Sequence, residues 1–256
     1  MAGMRTVPDD LGTPVPLADP IRSVVSLVPS LTEAIATSRP ELLAGATDWC
    51  SHPADLAVTR VRGTKNPDLR AVGGLAPDLV VCNQEENREL DVRRLRAAGI
   101  AVWVTRIETL DDAFASLRRL FAEVLAGPVP GWLAAAEASW AAPPERPELR
   151  AVTPIWRDPW MVVGPRTFAG DLLARLGVRN LVETGPDRYP HLDLDAIRAA
   201  RPEVVLLPDE PYRFTAGDGP EAFPGIRTVL LSGRLLTWYG PSLAVARAEL
   251  SAAVRG

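Results

Sequence analysis

The sequence predicts an α/β fold of two parallel-sheet lobes joined by a single long connecting helix. Three observations predict it. The stretch Leu75-Ala76-Pro77-Asp78-Leu79-Val80-Val81-Cys82 reads as a helix end, a proline turn and a short buried strand. Ala200-Arg201-Pro202-Glu203-Val204-Val205-Leu206-Leu207 repeats that pattern almost half a chain later. Continuous apolar runs of this length suit parallel strands covered on both faces. Around each run strands alternate with helical patterns, as in β-α-β units. A proline-bounded helical stretch separates the two halves.

In chain order, the apolar run at 23–28 is a strand, and a helix follows from Leu31. Ser30-Leu31-Thr32-Glu33 has the spacing of a capping box, in which Ser30 and Glu33 satisfy each other's backbone donors. The echo strand comes next, then a strand at 100–105 and a helix near 110–125. Gly127-Pro128-Val129-Pro130 opens the connector, 131–142 is Ala-rich and helical, and Pro143-Pro144-Glu145-Arg146-Pro147 closes it. The second half repeats the order: a strand at 149–155, a helix at 168–176 ended by Gly177, the echo strand, a strand at 228–232 and a helix at 243–254. The expected division is a Rossmann-like N-terminal lobe over 1–126, a connecting helix over 127–147 and a Rossmann-like C-terminal lobe over 148–256. One crossing segment allows limited hinge motion.

Composition narrows the function. The 256 residues are 47% hydrophobic, which excludes disorder, and the formal charge of −4 excludes a strongly basic nucleic-acid surface. Lys65 is the only lysine among 28 Lys and Arg, and no basic run marks a local patch. Cys50 and Cys82 are too few for a disulfide framework and match no metal knuckle. No stretch is long and apolar enough to span a membrane, so membrane insertion is not expected. The first twenty residues hold no apolar signal region. The chain as given therefore reads as cytoplasmic, although one trimmed of its signal would read the same way.

Ligands of open parallel sheets bind beyond the carboxyl ends of the strands. The residues just after the apolar runs are Trp49, Cys50 and His52; Glu85 and Glu86; Trp156, Arg157 and Trp160; Asp209 and Tyr212; and Trp238. Four of the seven tryptophans fall there, and aromatic faces with a few polar groups are what a small-molecule cleft needs. The alternative is that these tryptophans cap lobe cores. Cys50, His52, Glu85 and Glu86 have the chemistry of a zinc set, but the chain has only two histidines, His52 and His191, so no metal site is expected. A Cys50–His52 nucleophile lacks an orienting partner. Glu85 and Glu86, adjacent on an extended segment, would point to opposite sides and make a poor acid/base pair. No catalytic set emerges.

Asp9-Asp10-Leu11-Gly12, the run from Arg22 through Ser30-Leu31-Thr32-Glu33, and Ala76-Pro77-Asp78-Leu79-Val80 resemble the helical-backbone, class III substrate-binding proteins of cobalamin and iron-siderophore ABC transporters. The resemblance runs from about residue 9 to 254. It implies two α/β lobes with the ligand between them, small closure, and an ABC permease as partner. The cobalamin-binding branch is the most similar: Trp49-Cys50-Ser51-His52-Pro53, Arg166-Thr167-Phe168 and Tyr189-Pro190 stand where that branch has aromatic motifs. By resemblance Trp49, Phe168 and Tyr189 pack on a corrin ring, and His52 is a ring contact or a neighbour of the cobalt. Glu85-Glu86-Asn87-Arg88 and Trp156-Arg157-Asp158-Pro159-Trp160 depart from the branch. The expectation is a protein that binds a cobalamin-like corrinoid or similar metal chelate and needs no cofactor. The alternatives are an iron-siderophore or haem receptor on the same fold, or an intracellular enzyme using Glu85 or Glu86, Cys50 and His52.

Overall fold

The parallel strands form two sheets, and each sheet belongs to its own unit. The computed structural model describes residues 3–143, 148–182 and 187–256. One unit comprises the chain up to Ile107, Asp111–Ala134 and Tyr239–Pro241; the other comprises Glu108–Leu110, Ala135–Trp238 and Ser242–Gly256.

In the first unit five parallel strands lie in the order Thr59–Arg60, Leu43–Ala46, Val24–Ser26, Leu79–Asn83, Val102–Thr105. Every residue of Leu79–Asn83 is buried, as a strand covered on both faces requires. Val25, Val80, Cys82, Val102 and Val104 build one side of the core together with Val72, Val92 and Leu95 from the helices. In the second unit the order is Val178–Asn180, Leu149–Val152, Val204–Pro208, Arg227–Leu231, again parallel. Its core gathers Val152, Val205, Leu207 and Ile197 with the rings of Trp160, Phe214 and Phe223. In both sheets the first strand in chain order lies inside, with the second on one side and a later strand on the other: Leu79–Asn83 in the first sheet and Val204–Pro208 in the second. That is the point where the loops leaving the carboxyl ends diverge and leave room for a ligand.

Several local expectations are corrected. The helix after the first strand is Pro29–Ser38, with Val28 as cap and no side-chain cap bond. Proline at the first helical position is pre-set for a helix start, so Ser30 falls inside the helix and forms no capping box. Its hydroxyl instead accepts from the Tyr239 backbone N–H at 3.2 Å. The strand expected at 149–155 is two: Leu149–Val152 in the parallel sheet, and Pro154–Trp156 paired antiparallel with Met161–Val162. The helix at 110–125 is Leu110–Arg119 followed by a wider π turn, Leu120–Val124. Arg5 donates to the Glu123 and Val124 carbonyls at its end.

The N-terminal residues form a hairpin, Gly3–Pro8 with Pro14–Asp19. Asp9 Oδ1 accepts from the Leu11 and Thr13 N–H groups at 3.0 and 2.8 Å, and Gly12 takes φ of 80°. Asp9 also pairs with Arg96 at 2.7 Å, and Asp10 with Arg119 and Ser116. The Asp9-Asp10-Leu11-Gly12 motif is therefore a latched turn.

The connector helix is Gly131–Trp140, ten residues long. Trp132 near its start donates to Ser38 Oγ at 2.9 Å and meets Phe121 edge-on at 6.1 Å, within the first unit. Trp140 at its end is buried in the second unit, donating to the Leu243 carbonyl at 3.0 Å. The expected closing residues Pro144 to Pro147 lie outside the described residues.

Candidate functional site

In the first unit the loop after Leu79–Asn83 is set by two buried asparagines. Asn83 Oδ1 accepts from the N–H groups of Glu85 and Glu86 at 2.8 and 3.2 Å, and its amide donates to Thr105 Oγ1 at 3.0 Å. Asn87 Oδ1 accepts from the Asn83 N–H at 2.8 Å, while its amide donates to the Leu27 and Thr64 carbonyls, each at 3.0 Å. Glu85 and Glu86 thus sit on a tight turn, not on an extended segment, and both are half-buried. The Tyr239 hydroxyl donates to Glu86 Oε1 at 3.1 Å. Burial, with Glu86 beside it, holds that hydroxyl well above the usual tyrosine range.

Trp49 stands on the loop after Leu43–Ala46 and is 67% exposed. A Cβ on Gly63 would come within 3.2 Å of the Trp49 Nε1 and 2.4 Å of Asn66 Oδ1, so the small hairpin Arg62–Pro67 passes close to the indole and a side chain there would displace Asn66. Cys50 is wholly buried one residue on, its Sγ 3.0 Å from Thr32 Oγ1 and 3.1 Å from Thr47 Oγ1. Burial raises its thiol despite those hydroxyls. His52 is half-buried with Nδ1 3.1 Å from Ser51 Oγ. Cys50 thus belongs to the interior of the unit, apart from the exposed ring of Trp49. Among the described residues no group of three His, Cys, Asp or Glu could hold a metal ion.

In the second unit the two strands flanking the switch point are followed by Trp156 and Tyr212. Their rings meet edge-on at 5.8 Å, and Trp156 remains 43% exposed. The Tyr212 hydroxyl donates to Asp218 Oδ2 at 2.6 Å, which raises it above the ordinary tyrosine range. Arg157 pairs with both Asp218 and Glu221, and its guanidinium lies 5.5 Å from the Trp160 ring centre. The Glu221 bond raises Arg157, and the same bond lowers Glu221. Trp160 itself is buried, stacked on Phe214 at 6.0 Å and against Phe223 at 5.4 Å. Phe168 and Trp238 are buried too, Phe168 at the start of helix Phe168–Arg175 and Trp238 beneath Arg234. Tyr189 is half-buried. Asp209 Oδ1 accepts from the Gly233 N–H at 2.6 Å.

The structure therefore brings together Trp156, Arg157, Trp160 and Tyr212 in one cluster, and Glu85 with Glu86 in another. Phe214, Asp218, Glu221 and Tyr239 complete these clusters, and nothing in their spacing along the chain points to them. A hollow of about 330 Å³ lies beside Trp160, His191 and Asp193. It is at the small end of the ligand-pocket range.

No family model matches the chain. A vitamin B12-binding protein of Pectobacterium carotovorum is 23% identical over 219 residues, 75% of this chain and 73% of that protein. One from Vibrio cholerae is 22% identical over 204 residues, 76% and 74% of the two chains. Among solved structures, the periplasmic vitamin B12-binding protein of Vibrio cholerae superposes with a TM-score of 0.76 at 16% identity, over 92% of this chain and 97% of its own. A periplasmic haem-binding protein from Roseiflexus sp. RS-1 gives 0.78 at 22%, over 91% and 97%. In sequence the chain is similar to vitamin B12-binding proteins, and its fold is that of the solved periplasmic vitamin B12- and haem-binding proteins.

Proposed function

We propose that this chain binds a flat, ring-containing metal chelate, with a cobalamin-like corrinoid as first choice, and holds it without turning it over. The observation that carries the reading is the exposure of Trp49 and Trp156. Each is a large apolar ring left open just beyond the carboxyl ends of parallel strands, where such sheets take ligands. Of the other five tryptophans, Trp103, Trp140, Trp160 and Trp238 are buried and Trp132 is half-buried. Exposed indoles at a ligand position supply the broad faces that a conjugated ring stacks on. The names of the sequence relatives support the corrinoid; those of several structural neighbours favour a haem receptor as the second reading. An ABC permease is the partner that either reading calls for.

Mass spectrometry and visible absorbance of the protein purified from cells fed cobalamin or haem test the proposal. A corrinoid retained at close to one per chain is the expected result; retention of haem selects the second reading. A protein that retains neither, and binds neither when they are added, contradicts both.

A further inference from the structure

Resting on that reading, we infer that the second unit selects its chelate by charge: Asp218 and Glu221 exclude ligands with an anionic rim and favour amide-rimmed or cationic ones. The observation is what happens to Arg157. It is the cation beside the exposed Trp156 ring and would be the natural partner of a ligand carboxylate. Here it is bound to two carboxylates at once and held over Trp160. Asp158 stands next to it with its side chain 87% exposed, and Asp218 and Glu221 are 41% and 50% exposed. Arg157 and these three carboxylates together carry a formal charge of −2. The two arginines nearby each stand with an acid of their own: Arg213 lines a neighbouring hollow with Asp209, and Arg198, bound to the Ala222 carbonyl, pairs with Asp195.

The carboxylates are also fixed in place. Tyr212 holds Asp218 from the aromatic side, and the Gly219 N–H donates to Glu221 Oε2 at 2.6 Å. Gly219 has φ of 125°, and a Cβ there would meet Phe214 at 2.7 Å, so the loop carrying both acids is locked against the ring cluster. Turning Arg157 toward a ligand anion would strip two acids of their partner. A ligand rim rich in amide N–H groups meets ready acceptors instead, and a carboxylated rim meets like charge.

The test compares three chelates on the same protein: aquocyanocobinamide, which is cationic and amide-rimmed; monomeric haemin, which carries two carboxylates; and haemin dimethyl ester, in which they are masked. Wild type is expected to bind the ester about tenfold or more tightly than haemin at low salt. The gap should narrow in about 1 M salt, where screening reaches only about 3 Å. The double variant Asp218→Asn, Glu221→Gln keeps the shapes and frees Arg157, and should tighten haemin about tenfold. Haemin binding wild type as tightly as its ester overturns the inference and leaves the proposed function standing. So does a folded double variant with unchanged haemin affinity. If the variant fails to fold, the wild-type comparison decides alone. Failure of all three chelates to bind removes the proposed function and the inference with it.

Discussion

Cys50 and Cys82 show how burial alone settles the chemistry of a side chain. Cys82 lies in the middle of the first sheet, and burial pushes its thiol up to about 12. Cys50 is raised for the same reason. Thiolate is the reactive form, so neither should react with a thiol reagent at pH 8 in the native protein. Two thiols should appear on denaturation; fast native labelling of either would contradict the burial described. Tyr239 adds a pH dependence. In the unfolded chain thiols ionise near 8.5 and tyrosine near 10. The native state keeps those protons, so it binds more protons than the unfolded state at alkaline pH, and stability must fall as pH rises. The loss should begin above about pH 8.5 and steepen above about 10. Urea unfolding of Tyr239→Phe should show the steeper part reduced; an unchanged slope would place the Tyr239 hydroxyl in water.

At the scale of elements, the buried central strands were legible in the sequence because a parallel strand covered on both faces is an unbroken apolar run. Leu79–Asn83 and Val204–Pro208 lie within a residue of the expected positions. Short strands were not legible: Leu43–Ala46, with small residues, and Val178–Asn180, half polar, carry no run to detect. The N-terminal hairpin escaped because its prolines mask the alternation that buries Val7, Val15 and Leu17. Likewise, loop position alone does not tell an exposed ring such as Trp156 from a buried one such as Trp160. That difference is made by Phe214 and Phe223, more than fifty residues away. The loop that carries Glu85 and Glu86 depends on Asn87. Asn87→Ala would leave the Leu27 and Thr64 carbonyls and the Asn83 N–H without their partners. The expected cost is about 3 kcal/mol, read as a lower urea midpoint. A loss below about 0.5 kcal/mol would mean that water replaces the side chain freely.

For the whole molecule, the proposed function divides the tryptophans into those that hold the helix Gly131–Trp140 and those offered to the ligand. Trp132 and Trp140 anchor the two ends of helix Gly131–Trp140, each by an indole N–H and ring packing. Replacing either by phenylalanine should lower the unfolding temperature and leave ligand affinity unchanged. Trp49 and Trp156 are largely open, so their loss should cost stability no more than the loss of one aromatic contact, about 1 kcal/mol. The most direct measurement is a calorimetric titration of cyanocobalamin and aquocyanocobinamide into wild type, Trp49→Ala, Trp156→Ala and the two phenylalanine variants. Wild type should bind one of them well below about 100 µM. Each alanine variant should weaken it by about 2 kcal/mol, roughly 30-fold, with at most a small fall in unfolding temperature. Absence of binding below about 100 µM, or affinity that depends on Trp132 and Trp140 but not on Trp49 and Trp156, would contradict the account.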